Sequence, residues 1–129
     1  MNIQEISKRI NENNHSKGFW EGNGKPIDIP QKLLLIISEV CEAMEADRID
    51  KRSDESLNGI PDSQEDCPFF VFESFFKKNI KDTVEDELAD AVIRIFDLAY
   101  EMDIDLAWHI AMKVRYNEKR PFKHGGKKY

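Results

Sequence analysis

Apolar residues recur at helical spacing in five stretches of the chain, and each stretch carries its own start or stop signal. Ile3, Ile6 and Ile10 predict a first helix over residues 2–14; Asn2 with Glu5 three residues on resembles a capping box, and Gly18 supplies a stop. Pro30 admits a second helix to Arg48, since proline is tolerated in the first turn. Its apolar face is Leu33, Ile36, Ile37, Val40, Cys41 and Met44, which predicts a core-facing surface and makes Cys41 a small core residue. The Phe-rich run 68–76 suits a short helix better than a strand, with Pro68 at its start and Lys77, Lys78 and Lys81 at its end. Asp82 or Thr83 caps a fourth helix whose apolar face is Val84, Leu88, Ala91, Val92, Ile95, Ala99 and Met102. Asp105 caps the last, 106–118, with Leu106, Ile110, Ala111 and Val114 facing inward. The pattern predicts an all-α bundle of four to five helices, in one domain over 1–129.

Two of these helices carry paired acids on a common face. Glu39 and Glu42 stand three residues apart in the second, and Glu87 and Asp90 in the fourth. The neighbours of Glu39 and Glu42 are Leu35, Ala43 and Ala46, so that pair is set into a second packed surface. Glu87 and Asp90 lie on a stripe with Thr83, Arg94, Asp97 and Glu101, which by itself reads as the wet side of an amphipathic helix. If the two faces pack together, four carboxylates converge, at a cost that a hard divalent cation removes. Oxygen-only ligands suit Mg²⁺, with Mn²⁺ as a substitute.

Residues 50–67 lose the periodicity and read as an exposed, mobile loop, long enough to be a lid or an insertion. Phe19 and Trp20, beside a Gly/Pro-rich loop, are core plugs or, for Trp20, a stacking surface for a nucleobase. Lys113 and Asn117 lie on one line of the last helix, and the tail that follows is strongly basic. That tail either complements a helix C-terminus or supplies phosphate ligands.

Composition narrows the choices. A formal charge of −6 argues against general nucleic-acid binding. Hydrophobic content of 40% and charged content of 34% describe an ordinary soluble protein. No apolar run approaches a membrane span, no signal core precedes the first helix, and the two cysteines have no metal-finger spacing, which together predict a cytoplasmic protein with no membrane association.

The ordered set Glu39-Val-Cys-Glu42, Glu87-Leu-Ala-Asp90 and the tail Asn117-Glu-Lys-Arg-Pro-Phe-Lys-His-Gly-Gly126 resembles the MazG-like, all-α nucleotide pyrophosphohydrolases. Further likeness runs through 17–20, 33–39, 86–94 and 104–106, leaving out about 50–81. The resemblance implies a helical bundle assembling as a homodimer or homotetramer, and Mg²⁺-dependent cleavage of a nucleoside triphosphate to the monophosphate and pyrophosphate. It implies Glu39, Glu42, Glu87 and Asp90 as metal ligands and, for Glu39 or Glu42, the role of proton acceptor. Lys113 and Asn117 match substrate-facing positions, Trp20 an aromatic near the base, and Arg120, Lys123 and Lys127 phosphate contacts. In two respects the chain departs from the family: Cys41 stands where a small residue, often Gly, is common, and the segment between the acid pairs is longer than usual. Two alternatives stand beside this reading. One is a phosphoribosyl-ATP pyrophosphohydrolase-like enzyme; the other is a non-catalytic helical interaction module, which explains the acidic stripe as a wet face and the Phe-rich run as a docking surface.

Overall fold

The computed structural model describes residues 2–22, 24–54, 67–126 and 128. Among them all regular structure is helical: α1 (Ile3–Ser16), α2 (Ile29–Arg48), α3 (Phe69–Asn79), α4 (Val84–Glu101), α5 (Leu106–Glu118) and a single turn, α6 (Lys123–Gly126). No helix among the described residues is long and apolar enough to cross a membrane. The chain divides into two compact units, one of Ile27–Ile95 and one of Met1–Pro26 with Phe96–Tyr129.

In the discontinuous unit, α1 starts as its sequence dictates. Asn2 Oδ1 accepts from the Glu5 N–H at 2.8 Å, and the Glu5 carboxylate accepts from the Asn2 N–H at 3.3 Å. Such a cap is worth about 1 kcal/mol. The helix closes at Lys17, and Gly18 then takes the left-handed conformation (φ +78°) that an unbranched backbone adopts without penalty. The buried positions of α1 are Ser7 and Asn11, while its isoleucines are only partly covered. Asn11 donates to Asp97 and Glu101 (2.9 Å each), and Asn14 donates to Asp97 at 2.7 Å. α1 therefore meets the last turns of α4 through a polar seam, in which the buried Asp97 is satisfied by amide donors. Asp105 caps α5 by accepting from the Trp108 N–H at 3.0 Å, and Gln4 donates to the same oxygen at 3.2 Å. The expected inward face of α5 is not covered: Ile110, Ala111 and Val114 are exposed, and only Leu106 and Ala107 are half-buried.

In the continuous unit, Asp28 caps α2 by accepting from the Gln31 N–H at 2.9 Å, and Pro30 sits in the first turn. Thr83 caps α4, its hydroxyl accepting from the Asp86 N–H at 3.3 Å. The start of α4 is also tied to the chain after α2: the Val84 N–H donates to the Lys51 carbonyl at 3.1 Å, and the Ser53 N–H donates to Glu85 at 2.9 Å. The front of the expected 50–67 loop is thus pinned by hydrogen bonds, and residues 55–66 lie outside the described residues.

The structure covers the second packed surface expected on α2 and leaves the wide apolar face of that helix open. On α2 the buried residues are Glu39, Ala43 and Ala46, while Leu33, Ile37, Val40 and Met44 are about half exposed and Cys41 is exposed. On α4 the expected apolar face is buried at Val84, Ala91 and Ala99, while its Leu88, Val92, Ile95 and Met102 stay open, and the stripe expected to be wet supplies the buried Thr83, Glu87 and Asp97. Alanines let helix backbones approach closely, so the Ala-lined sides carrying the acids turn inward. The bulky residues of α2 stay about half exposed.

Candidate metal centre

The spacing of the acid pairs and the inward turn of their faces bring the carboxylates together. Glu39, Glu42 and Glu87 each offer a carboxylate oxygen, and these oxygens all lie within 4.8 Å of one another. Asp90, one turn beyond Glu87, lines the same cleft, which encloses about 450 Å³. All four predicted ligands therefore share one cavity, three as a tight group and Asp90 at its exposed side.

The electrostatics follow from this crowding. Glu87 is only 6% exposed and has no hydrogen-bond donor on its carboxylate among the described residues. Burial, and then the charges of Glu42, Asp86, Asp90 and Glu39, push its carboxyl above the ordinary range. Asp90 is pushed up in the same way, by burial first and then by Asp86 and Glu39, with Arg94 pulling against them. Glu39 is buried too, but its charge is met: the Arg94 Nε–H donates to it at 2.5 Å.

A second acid group, Asp82, Asp86 and Glu87, adjoins the first and shares Glu87. Here neutralisation comes from lysine. Lys81 reaches Asp82 at 2.5 Å and Lys51 reaches it at 3.5 Å, and the hydrogen bond from Lys81 holds the Asp82 carboxyl low. Asp86 is partly engaged as well, accepting from the Asp82 N–H at 2.9 Å. The donors of the first group are oxygens only, the donor chemistry that a hard divalent cation takes, and the cleft sets two cationic side chains, Lys81 and Arg94, against six carboxylates.

The other predicted residues fall in the discontinuous unit. Trp20 is half-buried; its indole N–H donates to both oxygens of Asp97 at 3.1 Å, and its ring stacks on His15 at 6.0 Å between centroids. It is a positioned aromatic, while its neighbour Phe19 is 66% exposed and plugs no core. Lys113 and Arg120 both approach the Tyr116 ring, at 5.3 and 5.8 Å from its centroid. Asn117 is exposed on α5. The side chain of Lys123, and Lys127 altogether, lie outside the described residues.

Sequence reasoning assigned no role at the site to five residues that line the cleft: Phe76, Lys81, Asp82, Asp86 and Arg94. Arg94 carried a signal, since it lies four residues after Asp90 and seven after Glu87 and so on their stripe. Phe76 carried none, because nothing in an apolar run says which ring meets a distant acid.

No family model, curated protein or solved structure matches the chain.

Proposed function

We propose that this chain is a Mg²⁺-dependent nucleoside triphosphate pyrophosphohydrolase of the MazG-like type, cleaving between the α and β phosphorus atoms to give a monophosphate and pyrophosphate. The single observation that carries the reading is the gathering of Glu39, Glu42 and Glu87, whose carboxylate oxygens lie within 4.8 Å of one another, with Glu39 and Glu87 both buried. Repulsion among carboxylates so close is relieved by protonation or by a bound cation. Glu39, Glu42, Glu87 and Asp90 would hold the ion. Bound there, Mg²⁺ supplies positive charge against the triphosphate and lowers the pKa of a water. Glu42 would be the proton acceptor of the first pair, because its carboxylate is exposed whereas that of Glu39 is buried. Lys113, Asn117 and Arg120 are the candidate phosphate partners, and Trp20, held by Asp97, the candidate base-stacking ring.

The same reading includes assembly as a homodimer or homotetramer. Leu33, Ile37, Val40 and Met44 form an open apolar stripe on α2, a kind of surface that monomers rarely leave uncovered.

The test is pyrophosphate release from a panel of ribo- and deoxyribonucleoside triphosphates with Mg²⁺. The expected result is release of pyrophosphate rather than orthophosphate, falling at least ~10²-fold in Glu39→Ala, by analogy with other preorganised electrostatic groups. Near-normal turnover in that variant, or no release from any triphosphate, contradicts the proposal.

A further inference from the structure

We infer that Arg94 is a built-in competitor for the metal at Glu39, exchanging one cation for another, so that metal binding frees its guanidinium to meet an anionic ligand. The inference rests on the metal-centre reading proposed above and adds a function for a residue outside the acid pairs. Glu39 is one of the three carboxylates grouped within 4.8 Å, and it is buried. Its Oε1 accepts from Arg94 Nε at 2.5 Å, so the oxygen that would ligate a cation already serves one. A guanidinium and a divalent ion cannot both occupy that side of the carboxylate, and like charges held so close repel. The two are therefore alternatives.

The burial of the partners is unequal. The Glu39 side chain is 7% exposed and that of Arg94 is 42% exposed. Glu39 is fixed in place, while Arg94 has an open path away from it. Arg94 also sits on α4 one turn beyond Asp90, on the wall of the cleft. Once released it remains at the rim and carries the planar, multi-donor group that binds phosphate oxygens in pairs. Of the other groups lining the cleft only Lys81 is cationic, and Lys81 is held by Asp82 at 2.5 Å. Arg94 is thus the cation that metal binding sets free. The arrangement makes metal and anion binding mutually favourable, since each draws one partner out of the Arg94–Glu39 pair.

The experiment compares the full chain with Arg94→Gln and Arg94→Lys, with Mn²⁺ alone as the probe. Free Mn²⁺ is followed by electron paramagnetic resonance, and thermal unfolding is measured in EDTA. Arg94→Gln removes the competitor, so Mn²⁺ binding tightens about fivefold, the equilibrium equivalent of one partly exposed ion pair. In EDTA the same variant melts at a lower temperature, because Glu39 loses its ion pair with Arg94. Arg94→Lys keeps a competing charge and binds Mn²⁺ close to the parent value. With a triphosphate substrate, Arg94→Gln raises KM even though it binds metal more tightly. Opposite signs for metal and substrate are what a merely structural ion pair does not give. Unchanged or weaker Mn²⁺ binding in Arg94→Gln, with the parent chain binding Mn²⁺ normally, overturns this inference and leaves the metal centre standing. Absence of Mn²⁺ binding in parent and variant alike overturns both.

Discussion

Glu87 lies among like charges, those of Glu42, Asp86, Asp90 and Glu39. Its carboxyl is raised in the folded chain, so the fold favours its protonated form. The contribution to stability is therefore full below the unfolded value of 4.5 and is lost as pH rises through the raised folded value. Asp90 has the same sign, from an unfolded value of 3.8. Asp82 and Glu85 have the opposite sign, since their carboxyls are held low and their contribution is lost as pH falls, but both are fully exposed and water screens them. Glu87→Gln mimics the protonated acid. In EDTA its melting temperature should match that of the parent near pH 4 and exceed it near pH 7; saturating Mg²⁺ should reverse the order at pH 7. Thermal melts across that range check it, and a parent chain as stable as the variant at pH 7 without metal would contradict it. The acids themselves were legible in the sequence, because spacing of three on a helix fixes a shared face. The Arg94–Glu39 pair was not, since 55 residues separate its members and only folding chooses between Arg94 and the other cations.

At the scale of elements, helix existence and ends were legible because they are local. Asn2 with Glu5, Pro30, Thr83 and Asp105 act within four residues of their targets, and all serve as expected. The packed surface around Glu39, Ala43 and Ala46 was legible, and Val84, Ala91 and Ala99 of α4 are buried as expected; the Leu33–Met44 side of α2 was misread as core, because periodicity reports that a helix has two sides without saying which is covered by its own chain. On α2 the Leu33–Met44 side looked like core on hydrophobicity alone, yet Ala43 and Ala46 beside Glu39 are what the chain buries. The open side is accounted for if it packs against a second copy, which burial of large aliphatic side chains at about 25 cal/mol per Å² would stabilise. The double substitution Ile37→Asp with Val40→Asp should then convert a sedimenting dimer or tetramer to monomer while the helical circular dichroism stays near the parent level. A parent chain that sediments as a monomer at tens of micromolar would contradict this.

At the scale of the molecule, the acids gather within one unit, Ile27–Ile95, while Trp20, Lys113, Asn117 and Arg120 belong to the other. The long-range part of the site, α2 against α4, was the part the sequence could state only conditionally. The central claim is that Glu39, Glu42, Glu87 and Asp90 together hold a divalent ion. Calorimetric titration of the metal-free chain with Mn²⁺, beside Glu87→Gln, tests it most directly. Saturable binding by the parent chain is expected, with at least ~10-fold weaker binding by the variant, the scale of one lost charged partner. Equal binding by the two, or none by the parent, would contradict it.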